Sequence, residues 1–124
     1  ERETHASGQV NKTEVVLLDA LYGEIATFEH WVTAHAAGFG TAAAPGPYRF
    51  GCVYTGGTPA EQSVALAARL ARALPEGALL HDRTGATLAP SAYRAPVLVK
   101  HSTLSHGDTS RYYPEQFWRP LPPA

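Results

Sequence analysis

The sequence predicts an α/β protein, a single three-layer domain with a small, mostly parallel sheet flanked by helices. Three observations carry this reading. Short runs rich in β-branched residues alternate with stretches of helical periodicity, the pattern of repeated β–α units. The run at 14–19 is apolar without alternation, as expected of a strand buried on both faces of a parallel sheet. At 124 residues the chain suits one domain of the usual size, about 100–150 residues.

Taken in order, residues 1–13 are polar, include Gly8, Asn11 and Lys12, and read as an N-terminal arm or loop. Glu14-Val15-Val16-Leu17-Leu18-Asp19 is the first strand, ending on an acid. Residues 24–37 place Ile25, Phe28, Trp31 and Val32 on one helical stripe, with Gly38 as the stop. The glycines, prolines and alanines of 38–47 form a loop, and Tyr48–Tyr54 is the second strand. After it, Thr58 reads as an N-cap, Pro59 as the first helical residue and Glu61 as the closing member of a capping box. Val64, Ala67, Leu70, Ala71 and Leu74 would make the buried stripe of that helix, which Pro75-Glu76-Gly77 ends. Ala78–His81 is a weaker strand, Asp82–Gly85 a turn, and Pro96–His101 the last strand. The segment from Arg111 to Trp118 suits one or two helical turns before the proline-rich tail at 120–124. The domain proper is then expected over 14–119.

Composition narrows the function classes. Ten basic against eleven acidic residues leave a net charge of −1, too little field to hold a nucleic-acid backbone. No apolar run approaches the roughly 18 residues of a membrane span, and the mixed-charge start is not signal-like. Cys52 is the single cysteine, so no internal disulfide and no cysteine-based zinc site can form, in keeping with a reducing, cytoplasmic setting. With no methionine anywhere, the chain reads as processed or as a piece of a longer protein. Its Ala-rich, Arg-over-Lys usage fits a high-GC bacterial source.

In parallel sheets, sites gather at the carboxyl ends of the strands. Three polar groups fall there: Asp19 with Tyr22, then Thr55-Gly56-Gly57-Thr58, then the stretch from His101 to Asp108. Asp19 can orient a histidine, as the acid of a nucleophile–base–acid triad does, or simply close its turn. The Gly56-Gly57 turn offers free N–H groups at a helix start, suited to an anion, or is a tight turn alone. His106, in a glycine-containing loop past the last strand, is placed for proton transfer near neutral pH, or is a surface histidine. His101, His106 and Asp108 are residue types that bind divalent ions, but their spacing matches no tight metal motif. Neither a metal nor a cofactor is called for.

A strand ending in Leu17-Leu18-Asp19, a helix, a strand leading to Thr55-Gly56-Gly57, a helix, and a last strand leading to His106-Gly107-Asp108 resembles the C-terminal half of an α/β-hydrolase domain, over about residues 14–119. The resemblance implies ester or amide hydrolysis, with His106 as general base and Asp19 as the acid that holds its tautomer. In that family the acid usually follows the next strand, where this chain offers Thr55–Thr58 and no carboxylate before Glu61. No Gly-x-Ser-x-Gly elbow is present, and the nearest serine is Ser7 in Thr4-His5-Ala6-Ser7-Gly8. The nucleophile is then Ser7 or a serine on a second polypeptide, as in a processed or split enzyme. The substrate would be a small molecule or peptide, bound beside Tyr22, Thr55, Gly56, Gly57, Thr58 and Asp108. The alternative is a non-catalytic interaction module, a homo-oligomer or one member of a complex, recruiting its partner through an open sheet edge.

Overall fold

The computed structural model describes residues 2–5, 8–11 and 13–118, the first two stretches as backbone. The elements are β1 (Arg2–His5), β2 (Gly8–Asn11), β3 (Glu14–Leu18), α1 (Ile25–Ala34), α2 (Ala36–Phe39), β4 (Arg49–Tyr54), α3 (Gly57–Ala73), β5 (Leu79–Asp82), a 3₁₀ helix (Pro90–Arg94), β6 (Val97–His101) and α4 (His106–Trp118). One sheet runs in the order β1-β2-β3-β4-β6-β5. The four strands from β3 to β5 are parallel, and β1 and β2 add an antiparallel flank. Residues 2–5 and 8–11, read as an arm or loop, are therefore paired strands on the β3 side. Residues 14–118 have the expected three-layer α/β architecture, and β1 and β2 extend the same sheet.

The apolar runs face both ways, as a doubly covered sheet requires. Val15 and Leu17 of β3, Phe50, Cys52 and Tyr54 of β4, and Val97 and Val99 of β6 pack under α1, α2 and α3. Val16, Leu18, Val53 and Leu98 face the other way, onto Tyr93 of the 3₁₀ helix and Tyr113 and Phe117 of α4. Among the described residues no helix is long and apolar enough to cross a membrane.

Several local expectations change. The helix read over 24–37 breaks at His35 into α1 and α2, and Gly40, at φ 68°, ends it rather than Gly38. No capping box forms at α3: Gly57 takes a φ of 63° and starts the helix early, which puts Thr58 inside the first turn instead of at its cap. The buried stripe of α3 is Ser63, Leu66, Ala67 and Leu70, continued by Leu74, whereas Ala71 is exposed. Helix α4 begins at His106 instead of Arg111 and continues through Pro114. His106 is thus the first residue of a helix, and the loop before it is only Ser102–Ser105. The Ser105 hydroxyl accepts the Asp108 N–H at 3.2 Å, an N-cap bond that starts the helix there.

The seat of α4 decides where His106 lies, and it is fixed at the helix's far end. Arg49 donates to the carbonyls of Phe117 at 3.1 Å and Tyr93 at 2.8 Å, and to Glu14, its register partner on β3, at 3.0 Å. Arg94 donates to the same Phe117 carbonyl, so cations meet the negative end of the helix. The Phe117 ring lies against Gly51, where a β-carbon would come within 2.5 Å of it. Gly51→Val should therefore cost about 1–3 kcal/mol by overpacking. An unchanged midpoint in chemical denaturation would show that α4 can move off the sheet without loss.

Candidate active site

The carboxyl ends of β3, β4 and β6 lie side by side, and the residues just past them meet. Asp19 follows β3 in the left-handed region, φ 56°, with its N–H still bonded in register to the Val53 carbonyl at 2.7 Å. Aspartate is among the few residues that tolerate this conformation, which costs roughly 1–2 kcal/mol. Its side chain is only 5% exposed. Thr55, the first residue past β4, donates its N–H to Asp19 Oδ1 at 2.9 Å and its hydroxyl to Oδ2 at 2.8 Å. His106 completes the shell, with Nδ1 2.7 Å from Asp19 Oδ2 and 56% of its side chain exposed.

Burial alone would raise the Asp19 carboxyl. The N–H of Thr55, the bond from His106, the Thr55 hydroxyl and the charge of His106 outweigh that and hold it below its ordinary value. An ionised Asp19 accepts only, so Nδ1 of neutral His106 must carry the proton. Nε2 then keeps its lone pair, the state required of a general base. Among the described residues no hydroxyl or thiol is bonded to Nε2. Two that could be considered are otherwise engaged. Ser102 is buried, accepting from Tyr113 at 2.7 Å and from the Leu104 N–H at 3.1 Å. Cys52 is buried against Ser63, and burial pushes its thiol up to about 12.

Asp19, Thr55 and His106 are brought together. Thr55, expected to touch ligand, donates its N–H and hydroxyl to Asp19. Tyr22 is 65% exposed on the β3–α1 connection. Gly56, Gly57 and Thr58 are exposed at the start of α3. Asp108 faces Arg111 at 3.9 Å. Ser7 lies outside the described residues. Nor do His101, His106 and Asp108 converge: among the described residues no three histidine, cysteine or acidic side chains gather as metal ligands.

Sequence reasoning missed two polar groups. One is the bridging role of Thr55, whose only signal is a hydroxyl at the first position past the strand next to the one bearing Asp19. The other is Lys100, buried on the α4 face of β6, with its ammonium 2.7 Å from Asp82 and also donating to the carbonyls of Ala86 and His101. It lies within the last predicted strand, where sequence reasoning gave it no role, and its acid stands one strand earlier. A cavity of about 170 Å³, lined in part by Lys100, Ser102, Leu104 and Tyr113, lies behind the β6–α4 connection. No protein family, curated protein or solved structure matches this chain.

Proposed function

We propose that Asp19 and His106 are the acid and the general base of a serine-type hydrolase acting on esters or amides. The observation that carries this is the 2.7 Å contact between His106 Nδ1 and a buried, hydrogen-bonded carboxylate, with the ring otherwise open to solvent. The left-handed Asp19 adds to it, since backbone strain of this kind clusters at functional sites. The reading keeps the resemblance to the C-terminal half of an α/β-hydrolase domain. Its nucleophile is a serine outside the described residues, Ser7 or one on a second polypeptide.

In the reaction, Nε2 takes the serine proton as the serine oxygen attacks the substrate carbonyl. The imidazolium, held by Asp19, then protonates the leaving alcohol or amine as the C–O or C–N bond breaks. Water attacks the acyl-serine by the same route in reverse, giving Nε2 its proton, which returns to the serine as the acid leaves.

The test uses the protein together with any polypeptide that co-purifies with it. A fluorophosphonate should label one serine, and peptide mass spectrometry would identify it. His106→Ala should slow that labelling roughly 10²–10⁴-fold, the usual contribution of a positioned base. A folded protein that neither labels nor turns over p-nitrophenyl esters would overturn the reading. It would favour an interaction module instead, for which the observation is β5. That strand is the last in the sheet order, and its Leu80 is 38% exposed.

A further inference from the structure

Thr55 is gripped from both sides. Its N–H and hydroxyl hold Asp19, while its carbonyl lies 3.2 Å from Nε2 of His101, the last residue of β6. A carbonyl can only accept, so His101 carries its proton on Nε2, and this bond survives whether or not Nδ1 is also protonated. The ring itself has little room. It stacks on Tyr54, with centroids 5.4 Å apart and planes 29° apart, and the Tyr54 hydroxyl in turn lies 3.1 Å from His81 Nε2. Gly85 approaches from another side, close enough that a β-carbon there would be 3.3 Å from His101 Nδ1. Gly85 has a φ of 78°, held in a turn where Asp82 accepts the Thr84 N–H at 3.1 Å and its hydroxyl at 2.7 Å.

We infer that His101 is a positioning residue: by donating from Nε2 to the Thr55 carbonyl it fixes the segment that presents two donors to Asp19, and so aligns Asp19 with His106. The route is contiguous, from His101 to Thr55 to Asp19 to His106, and each link is a hydrogen bond of 3.2 Å or less. It joins the ends of all three strands that build the site. Parallel pairing aligns the strands but does not set the φ/ψ of the residues beyond them, and the His101–Thr55 bond does so for the middle one. The consequence for catalysis rests on the proposed hydrolase reading. The positioning itself does not, so the test is made without a substrate.

In the ¹⁵N-labelled full chain, the His106 Nδ1 proton bonded to Asp19 should appear far downfield, and the nitrogen shifts of His101 should report the Nε2–H tautomer. His101→Phe keeps a ring against Tyr54 and removes only the donor. It should abolish the downfield signal and move the Asp19 carboxyl titration to higher pH, since the two Thr55 bonds that hold it down loosen. His101→Gln, whose amide N–H reaches nearly the same point, should restore both. A folded Phe variant with the wild-type signal and titration would overturn the inference, as would a folded Gln variant that restores neither. If the Phe variant does not fold, the wild-type tautomer still decides, because an Nδ1–H tautomer of His101 leaves nothing to donate to Thr55. Absence of esterase activity would sink the hydrolase reading and leave these outcomes unaffected.

Discussion

If the proposed hydrolase reading holds, Asp19→Asn is expected to lower ester turnover by about 10⁴ while leaving the fold intact, the penalty typical of a triad histidine held in the wrong tautomer. The neighbours of Asp19 dictate how the new amide must sit. The Thr55 N–H points at Oδ1 and needs an acceptor there, so the amide oxygen takes that place and the NH₂ group takes the place of Oδ2. The NH₂ then donates to His106 Nδ1, and the Thr55 hydroxyl turns to accept its second hydrogen. Every bond of the cluster is kept, but the ring proton is driven to Nε2, where it can no longer take a proton from a nucleophile. Turnover of p-nitrophenyl acetate and the loss of the His106 Nδ1 proton signal should report the change together. Turnover within tenfold of wild type would mean that Asp19 does not orient His106 for any reaction.

The largest effect on stability is expected from Asp82→Asn. Lys100 and Asp82 are 2% and 10% exposed in their side chains, and the acid is the partner that compensates the buried ammonium. Removing one member of such a pair typically costs about 3–5 kcal/mol, because the other charge stays buried without compensation. That is a large share of the about 5–15 kcal/mol that holds a domain folded. Urea denaturation at pH 7 measures it, and a loss under about 1 kcal/mol would show that the ammonium finds other partners at little cost. The pH dependence has a definite sign. Burial opposes ionisation of Asp82, but the bonds from Lys100 and Thr84 and the Lys100 charge lower the carboxyl from 3.8 to about 2. The folded state thus binds its proton more weakly than the unfolded chain does. The stabilisation is complete above the ordinary carboxylate range and is lost as pH falls through about 4 towards 2. Asp19, also lowered, acts in the same direction. Asp82→Asn should therefore be less stable at neutral pH and should lose less on acidification.

What the sequence by itself determined was the layering and the chain positions of the chemistry. The apolar run Val15–Leu18 means burial on both faces, and with strands and helices alternating along the chain a parallel sheet between helices follows. Residues just past the three predicted strands at 14–19, 48–54 and 96–101 lie at the carboxyl end of the sheet whatever their side chains do, which is why Asp19, Thr55 and His106 were legible as polar groups sharing one rim. One local signal misled because a neighbouring one outweighed it: Thr58-Pro59-Ala60-Glu61 has the composition of a capping box, yet the double glycine starts α3 before it. Only the tertiary structure decided that β6 enters between β4 and β5. That order brings His101 up to Thr55, and the chain leaving β6 carries His106 to Asp19, 87 residues away in sequence. It also joins Lys100 to Asp82 across neighbouring strands. Hydrophobic periodicity records which residues are buried. It does not record which strand lies beside which, and polar contacts effective only over about 3 Å depend wholly on that order.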